Sequence, residues 1–500
     1  MNGAALALLS VAAPVAVEAS AVAYWIVYGL IALALVGVVI TLITDDRDPS
    51  TVLAWLFVLM VLPGIGLIAY FLIGRNFRRD SPRRRRLAGE VVGLVDRSLA
   101  PVRTANSAFT EAAVAGLAGT PGGRIQATGR SESRFRVLPA DSVEVYTSGA
   151  QKFPALFADL AKAQTYIHLM YLIWEQDKLT AEVTEILLDR LAAGVQVHII
   201  YDWLSCITYK KDELKRLAAA GAVVVPCYKS LRHLNYRNHM KMAIVDGEVV
   251  YTGGMNMGQE YIDGGERFAV WRDTHLRMTG AIVAPYIAAF AATWILNGRK
   301  DDLITGYVAE PVAHGPGDGI PVQMLHSSVL TKNKAIRDAF IVALTTARHR
   351  TWIQSPYFVP DEPLLTAMCV AASSGVDVRF MMTGVPDKKA PFHVAQAYYK
   401  QLIEAGVKVY QYKAGFLHAK TVTVDDQLCI IGTCNWDIRS IILHDEVVAA
   451  LYDEGIATSY AEQYERDMAE CVQITLEDLL DMSALQKFRN SFLRLFSRLM

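Results

Sequence analysis

The sequence predicts an α/β fold in which two duplicated domains pack pseudo-symmetrically, preceded by an N-terminal hairpin of two transmembrane helices. Three observations lead to this prediction. Short β-branched runs alternate with amphipathic helical stretches, which is typical of a largely parallel or mixed sheet covered by helices. The same alternation then occurs a second time along the chain. Two long apolar segments precede both copies.

The apolar segments cover approximately Val22–Ile43 and Val52–Ile73, and neither contains a charged side chain. Each has about the 20 residues needed to cross a hydrocarbon core of roughly 30 Å. A buried hairpin of a soluble domain is the alternative, but soluble helices rarely stay uncharged over this length. Gly3–Val17 is also apolar, but it is short for a span and lacks the basic start of a secretory signal.

Arginines after the second segment predict the orientation of the hairpin, because basic residues close to a span mark its cytoplasmic side. These residues are Arg75, Arg78, Arg79 and Arg83–Arg86. We therefore expect a multi-pass protein of the inner (plasma) membrane, with all residues after Arg75 in the cytoplasm.

Composition narrows the class of protein further. The 49 basic and 50 acidic residues give no overall attraction to nucleic acid. The six cysteines are widely spaced and form no CxxC pair, so neither a zinc site nor a disulfide framework is predicted. Free thiols agree with a reducing compartment.

The repeat divides the chain into five predicted segments. Residues 1–75 form the anchor, 76–135 a basic juxtamembrane segment and linker, 136–310 and 311–482 the two domains, and 483–500 an amphipathic C-terminal helix. Gly116–Gly123 and Ser131–Ser133 have the composition of linker material.

The C-terminal stretch suits a helix on an anionic leaflet; packing on the protein's own core is the alternative. Its apolar stripe comprises Phe488, Phe492, Leu495, Phe496 and Leu499.

Each copy carries His-x-Lys followed by Asp after four residues: His239, Lys241 and Asp246, then His418, Lys420 and Asp425. Gly-x-x-Asn turns follow and end in Asn256 and Asn435. The histidines and the asparagines are both 179 residues apart (418 − 239 and 435 − 256). On a strand, residues i and i+2 point to the same side. Because lysine is rarely buried unless paired, the repeated triplet indicates a functional site.

These residue types fit chemistry at a phosphoryl centre. Two histidines brought together between the copies can divide the roles of nucleophile and general acid. Two lysines and two asparagines supply donors around an oxyanion. No Asp, Glu and His cluster with metal spacing accompanies them, so no metal and no cofactor is predicted.

The doubled HxKx4D signature resembles the phospholipase D superfamily. Surrounding motifs narrow the resemblance to the bacterial cardiolipin synthases, over nearly the whole chain: Arg237–Lys241, Gly253–Asn256, Trp271–His275, Ser355–Asp361, Phe416–Lys420 and Asn435–Ser440. Three positions depart from that family. Gln259 stands where an acidic residue is usual, Thr433 where Ser is commoner, and Leu443–Glu446 reads Leu-His-Asp-Glu instead of Leu-Asn-x-Glu.

The resemblance implies phosphatidyl transfer between two phosphatidylglycerol molecules through a phosphohistidine, giving cardiolipin and glycerol. His239 is expected as nucleophile and His418 as acid, then base, although the reverse assignment stays open. The resemblance also implies that Glu446 and Asp273 orient the opposite histidines. Ion pairs of these carboxylates with Arg439 and Arg272 are the alternative.

Other functions share the two triplets. A hydrolytic phospholipase D or a phosphatidylserine synthase is the nearest alternative among enzymes, and a nuclease fits less well with a membrane anchor. A catalytically inactive lipid-binding scaffold is the alternative of another class, against which the intact His and Lys of both copies argue. The expected partners are phosphatidylglycerol, cardiolipin and the membrane, without nucleic acid; a homodimer is compatible with the sequence.

Overall fold

The computed structural model describes residues 4–44, 49–74, 82–230, 234–298, 311–328 and 334–497. They belong to two compact units, one drawn from residues 1–80 and 230–235 and the other from residues 81–229 and 236–500. Both copies of the repeated triplet lie in the larger unit.

The smaller unit is built on one long apolar helix, α1 (Ala4–Thr44). Two shorter helices, α2 (Pro49–Val61) and α3 (Pro63–Ala69), pack against it, and a π-helical turn follows at Tyr70–Gly74. Pro63 separates α2 from α3 because proline supplies no N–H donor and its ring clashes with the preceding turn. The buried core of this unit consists of Val38, Leu42, Leu59 and Tyr70.

The two-helix transmembrane hairpin is not confirmed. Among the described residues, one helical segment, Tyr24–Thr44, is long and apolar enough to cross a membrane. This segment is the C-terminal part of α1 and not a separate helix. The second predicted span is interrupted at Pro63 and consists of shorter elements. Trp25 is 72% exposed and Met60 74% exposed, as in a surface that faces lipid.

Helices occupy most of residues 82–133, part of which was predicted to be linker: α4 (Pro82–Ala105), α5 (Ser107–Gly116) and α6 (Pro121–Ser133). Thr120 caps α6 by accepting the N–H of Gly123 at 3.1 Å, and Pro121 takes the first helical position. Ser131–Ser133 is therefore the last turn of a helix. The linker prediction was wrong there because the local cap outweighed the Gly- and Ser-rich composition.

The first copy folds around a mixed sheet. Its helices are α7 (Gly149–Lys162), α8 (Lys178–Ala192), α9 (Asp212–Ala219), α10 (Glu260–Asp263) and α11 (Val283–Leu296). The strands of this region are β1 (Leu138–Ala140), β2 (Ser142–Tyr146), β3 (Tyr166–Tyr171), β4 (Gln196–Asp202), β5 (Val223–Cys227), β6 (Arg237–Asn238), β7 (Met242–Val245), β8 (Val249–Gly253), β9 (Trp271–Arg272) and β10 (His275–Thr279). The sheet has the order β2-β10-β8-β7-β3-β4-β5, with β3, β4 and β5 parallel.

The second copy repeats this sheet. Its helices are α12 (Ala335–Thr346), α13 (Glu362–Ser373), α14 (Lys389–Glu404), α15 (Ile438–Leu443), α16 (Glu454–Ala469), α17 (Leu476–Leu480) and α18 (Ala484–Arg494). Its strands are β11 (Ile320–Ser327), β12 (Arg350–Gln354), β13 (Phe358–Val359), β14 (Asp377–Thr383), β15 (Lys408–Tyr412), β16 (Phe416–Leu417), β17 (Thr421–Val424), β18 (Leu428–Gly432), β19 (Trp436–Asp437), β20 (His444–Leu451) and β21 (Cys471–Ile474). The order β11-β20-β18-β17-β12-β14-β15 matches the first sheet strand for strand, with β1 and β21 added at the edges. The duplicated α/β fold is thus confirmed.

Two short parallel strand pairs join the copies. β6 of the first copy pairs with the beginning of β20 in the second, with Arg237 opposite His444. β16 of the second copy pairs with β9 of the first, with Phe416 opposite Trp271. Each predicted histidine directly follows the β6 or β16 strand of its own copy, so the two pairings bring both histidines to the boundary between the copies.

The C-terminal helix α18 has one packed face and one exposed face. Asn490 donates to Gln396 of α14 at 3.0 Å, and the Arg494 guanidinium lies 4.2 Å from the ring centre of Tyr398. Leu485 and Phe488 are 77% and 66% exposed on the other side. The packing on the protein's own core thus holds for one face, and the position of the exposed face on a leaflet stays a prediction; Leu499 lies outside the described residues.

Candidate active site

The two aspartates of the triplets lie at the far ends of the motif strands. Asp246 accepts backbone N–H groups at 2.8–2.9 Å from the residues that begin β3, and Asp425 at 2.8–3.2 Å from those that begin β12. Seven residues of largely extended chain separate Asp246 from His239, or about 20 Å. The structure does not bring either aspartate to the histidines. Their contacts tie neighbouring strands together, which differs from the catalytic role expected from the sequence.

The backbone N–H of each histidine forms a hydrogen bond with a residue of the opposite copy. The N–H of His239 donates to the carbonyl of Asp445 at 2.9 Å, and the N–H of His418 donates to the carbonyl of Arg272 at 2.7 Å. These bonds continue the β6–β20 and β16–β9 ladders by one residue. The two strand pairings therefore fix the position of each histidine's backbone, from which its imidazole extends, relative to the opposite copy.

Each imidazole also contacts a carboxylate of the opposite copy. Nδ1 of His418 lies 2.6 Å from Oδ2 of Asp273, and Nδ1 of His239 lies 2.8 Å from Oε1 of Glu446. Both carboxylates are buried. The hydrogen bond to Asp273 holds the proton of His418 on Nδ1 and leaves its Nε2 free to face a substrate. The structure thus places Asp273 and Glu446 where the family resemblance implied.

The alternative ion pair of Asp273 with Arg272 differs from what the structure contains. Arg272 binds the carboxylate of Asp467 at 2.8 Å and the hydroxyl of Thr274 at 2.9 Å. Asp273 instead accepts the N–H of Thr274 at 2.7 Å in addition to its contact with His418. The arginine supports the loop that carries Asp273 and does not neutralise its carboxylate.

The turn residues after each motif strand make room for these carboxylates. A Cβ at Gly254 would lie 1.9 Å from Oδ1 of Asp273, so a side chain cannot be accommodated there. The corresponding residue of the second copy, Thr433, donates its hydroxyl to Oε2 of Glu446. A serine would offer the same donor, so this departure from the family leaves the site intact. Gln259 directly precedes helix α10. Its backbone N–H donates to Asp177, which caps helix α8, and its side-chain amide donates to Asp263 of α10 at 2.8 Å.

Both motif lysines are buried beside the histidines. Nζ of Lys241 donates to the carbonyl of His239 at 2.7 Å, and Nζ of Lys420 donates to the carbonyl of His418. Burial lowers the pKa of Lys241 to about 7 and that of Lys420 to about 8, although Glu446 and Asp273 counteract it. A phosphate between the lysines would restore the charge that burial disfavours.

The asparagines hold the turns next to the histidines. Nδ2 of Asn256 donates to the Tyr261 hydroxyl at 2.6 Å, while its Oδ1 accepts the N–H of Ile173 at 3.3 Å. Nδ2 of Asn435 donates to Ser440 at 3.3 Å. Within the described part of the chain, Oδ1 of Asn435 is buried without a hydrogen-bond partner.

The electrostatic surroundings of the two histidines differ. Burial, reinforced by Lys241 and Lys420, holds the pKa of His239 well below its usual value. Burial also lowers the pKa of His418 to about 4, against the opposing effect of Asp273. Burial opposes ionisation of Asp273, but Lys420 and His418 bring its pKa below the ordinary value; burial raises the pKa of Glu446. Asp273, which contacts His418, is therefore ionised more readily than Glu446, which contacts His239.

The sequence marked His444 only as a departure from the family pattern and gave no role to the aromatic residues around His418. The rings of Trp271, Phe416 and Tyr261 lie 5.7, 5.5 and 6.1 Å from the His418 ring. His444 lies 5.5 Å from His239, measured between ring centres. Its position two residues before Glu446 on β20 was the available signal, since alternate residues of a strand share a face.

The fold also assembles a cluster that no sequence spacing indicated. One ligand-type atom from each of His239, His444 and Glu446 lies within 4.8 Å of the other two. The sequence-based expectation that no metal-type cluster accompanies the motif therefore requires correction. The cause is the β6–β20 pairing, which brings residues about 200 positions apart next to each other.

Comparisons with known proteins agree with this geometry. A family described as cardiolipin synthase, PLD-like domain, matches residues 156–294 and 340–468, one match in each copy. A second family, the phospholipase D-nuclease N-terminal region, matches residues 30–75. A solved structure, the phosphatidylserine synthase of Haemophilus influenzae, superposes with a TM-score of 0.60 at 15% identity, over 75% of this chain and 98% of its own. That likeness shows the fold alone.

Curated relatives are similar over nearly the whole chain. The cardiolipin synthase of Halalkalibacterium halodurans is 33% identical over 479 residues, which are 94% of this chain and 93% of the relative. The major cardiolipin synthase ClsA of Bacillus subtilis is 33% identical over 470 residues, 92% of this chain and 95% of the relative. The expectation of a phosphatidyltransferase is thereby confirmed, and this chain belongs to the cardiolipin synthase family of phospholipase D-like proteins.

Proposed function

We propose that this chain transfers the phosphatidyl group of one phosphatidylglycerol to a hydroxyl of another, giving cardiolipin and glycerol through a phosphohistidine. The observation that carries the proposal is reciprocal: each histidine contacts a buried carboxylate from the opposite copy. Two imidazoles at one boundary, each with a carboxylate of the opposite copy beside it, suit a reaction with a covalent intermediate, because one can bond to phosphorus while the other moves protons.

In the first step, Nε2 of His239 attacks the phosphorus and the bond to the glycerol oxygen breaks. His418 gives its proton to that oxygen, so glycerol leaves as a neutral alcohol. In the second step, the neutral His418 takes the proton from the hydroxyl of the second phosphatidylglycerol. The resulting oxygen nucleophile bonds to phosphorus, the N–P bond breaks, and both histidines return to their starting states.

The unequal surroundings of the histidines support this division of roles. A nucleophile must be unprotonated, and the low pKa of His239 favours that state. A general acid must carry a proton when substrate is bound. Burial keeps the pKa of His418 at about 4 in the free protein, so the charge of an arriving phosphodiester anion is needed in addition to the ionised Asp273 to stabilise the protonated ring.

Lys241 and Lys420 would neutralise the non-bridging oxygens in both steps, as buried donors do at an oxyanion. Asn256 and Asn435 would keep the adjacent turns in place. Asp246 and Asp425 would hold the motif strands in register. None of these steps requires a metal ion or another cofactor.

The location follows from the anchor and the arginines. We infer a multi-pass protein of the plasma (inner) membrane with both catalytic copies in the cytoplasm, as basic residues after Ile73 favour. We also propose that the anchor covers residues 1–75, the juxtamembrane segment 76–135, the two domains 136–310 and 311–482, and the C-terminal helix 483–500. The exposed apolar face of α18 would rest on the same anionic leaflet from which substrate is drawn.

Purified full-length protein in mixed micelles with phosphatidylglycerol as the sole lipid tests the proposal. Cardiolipin and glycerol should appear in equal amounts. Phosphatidic acid without cardiolipin would indicate a hydrolytic phospholipase D instead. If phosphatidyl transfer required serine and a nucleotide-activated lipid, a phosphatidylserine synthase would replace the proposal, and absence of any lipid product would favour an inactive scaffold.

A further inference from the structure

The cluster of His239, His444 and Glu446 differs from the corresponding group in the other copy. Glu446 corresponds to Asp273, since each follows its turn on the matching strand, and His444 then corresponds to Trp271. The indole of Trp271 offers no lone pair to a cation. The second nitrogen ligand, His444, is therefore a property of one copy alone.

Three buried polar atoms in this cluster have no hydrogen-bond partner within the described ranges: Nδ1 of His239, Nε2 of His444 and Oε1 of Glu446. Nδ1 of His239 lies 2.8 Å from Oε1 of Glu446, yet the two are not aligned for a hydrogen bond, whereas His418 and Asp273 are. Nδ1 of His444 lies 3.6 Å from the same oxygen. Buried polar atoms without partners are uncommon, and several together indicate an absent ligand.

We propose that His239, His444 and Glu446 form a binding site for a transition-metal dication, with Zn²⁺ the best match, and that its occupation inhibits the enzyme. Two imidazole nitrogens and one carboxylate oxygen are a common zinc ligand set, and a fourth position remains for water or a phosphate oxygen. Hard cations such as Mg²⁺ prefer a shell of oxygen ligands, so this site should discriminate against them.

A positive charge next to the cluster limits the strength of binding. Nζ of Lys241 lies 2.7 Å from the carbonyl oxygen of His239, so the charged lysine repels a cation held by that residue. Binding should therefore be reversible.

Inhibition follows from the tautomer of His239 and rests on the function proposed above. In catalysis the ring keeps its proton on Nδ1 and uses the lone pair of Nε2. A metal bound through Nδ1 as a neutral ligand leaves the proton on Nε2 instead. That nitrogen then has no lone pair with which to attack phosphorus.

Direct metal binding is measured on the full-length chain in neutral detergent, without lipid and without a polyhistidine tag. Zn²⁺ is titrated in competition with a chromophoric chelator. We expect one Zn²⁺ site in the wild type. His444→Asn, which has the residue usual in the family, should bind Zn²⁺ at least about 10–100-fold more weakly than the wild type does. His393→Asn, a histidine outside the cluster, should bind like the wild type.

Absence of a Zn²⁺ site in the wild type, or equal affinity in His444→Asn, would overturn the site. This readout needs no turnover, so it is independent of the proposed reaction.

In a second experiment, phosphatidyl transfer is assayed with buffered free Zn²⁺ in mixed micelles. With each protein compared to its own rate without metal, His444→Asn should resist Zn²⁺ concentrations that inhibit the wild type, while Mg²⁺ should inhibit neither. Equal inhibition of both proteins, or activation by Zn²⁺, would refute the inhibitory mechanism.

Discussion

Oδ2 of Asp273, in the first copy, lies 2.6 Å from Nδ1 of His418, in the second. The carboxylate is fully buried, and Lys420 and His418 keep its pKa below the usual value, against burial. It is therefore positioned to stabilise a protonated His418 without becoming protonated itself.

We expect Asp273→Asn to lower kcat by roughly 10²–10⁴-fold, the usual range for general acid–base catalysis, with a much smaller effect on KM. The amide has the size of the carboxylate but neither its charge nor its preference for a protonated Nδ1. Asp212→Asn, an exposed change on α9, serves as the control for purification and lipid loading. A variant with more than about a tenth of wild-type kcat would contradict the role given to Asp273.

The covalent intermediate can be trapped in His418→Ala. Loss of the acid should slow its formation, and loss of the base should prevent its transfer, so any adduct should persist. Labelled phosphatidylglycerol should modify His239, and the bond should survive base and break in acid, as phosphoramidates do.

Peptide mapping decides the site of modification. A label on Ser, Asp or Lys would exclude the mechanism. A label on His418, found in His239→Ala instead, would exchange the two roles. His239→Ala and His418→Ala should each abolish turnover, because the site is shared between the copies.

The lysines predict an alkaline limb in the pH profile. Their charges are present below the pKa values of about 7 for Lys241 and about 8 for Lys420, and are lost as pH rises through them. We expect kcat/KM, which reports the free enzyme, to fall above about pH 7–8. The limb in kcat should lie at higher pH, because bound phosphate favours the charged lysines.

Arginine separates this effect from general alkaline inactivation, since a guanidinium does not lose its proton in this range. Lys420→Arg should shift the alkaline limb upward even if its absolute rate is low. Lys408→Arg, on an exposed lysine paired with Asp377, should leave the profile unchanged. An identical limb in Lys420→Arg and the wild type would assign it to another group.

Membrane topology is tested with a thiol reagent that does not cross the plasma membrane. In intact cells, Ser50→Cys should react if the connection between the apolar segments faces outward, as the arginines predict. Ser374→Cys, at an exposed position of the second copy, should react only after the membrane is permeabilised. The opposite pattern would reverse the proposed orientation.

The repeated strands and both motif positions could be predicted from the sequence because they depend on local signals. β7 and β17 have apolar runs between Lys and Asp, and the copies keep one spacing. The place of Glu446 and Asp273 beside the opposite histidines came only from family resemblance. Their contacts depend on the β6–β20 and β16–β9 pairings, and two-residue strands carry no detectable periodicity.

Other features were missed for different physical reasons. The break at Pro63 lies inside a segment whose hydropathy alone favours a continuous span. The contacts of Asp246 and Asp425 with backbone N–H groups at the beginning of β3 and β12 depend on which strands are neighbours in the sheet, and the spacing of the triplets does not indicate that. His444 was noted as a departure from the family, but its contact with Glu446 needs the fold.

The β6–β20 pairing also has a consequence for biosynthesis. His239 leaves the ribosome 207 residues (446 − 239) before Glu446. At about 5–20 residues per second, that interval is roughly 10–40 s. Under the topology and residue roles proposed above, the anchor is already in the bilayer during this interval, while His239 has no carboxylate partner. On that proposal, phosphatidyl transfer starts only after the second copy has been made and has folded against the first.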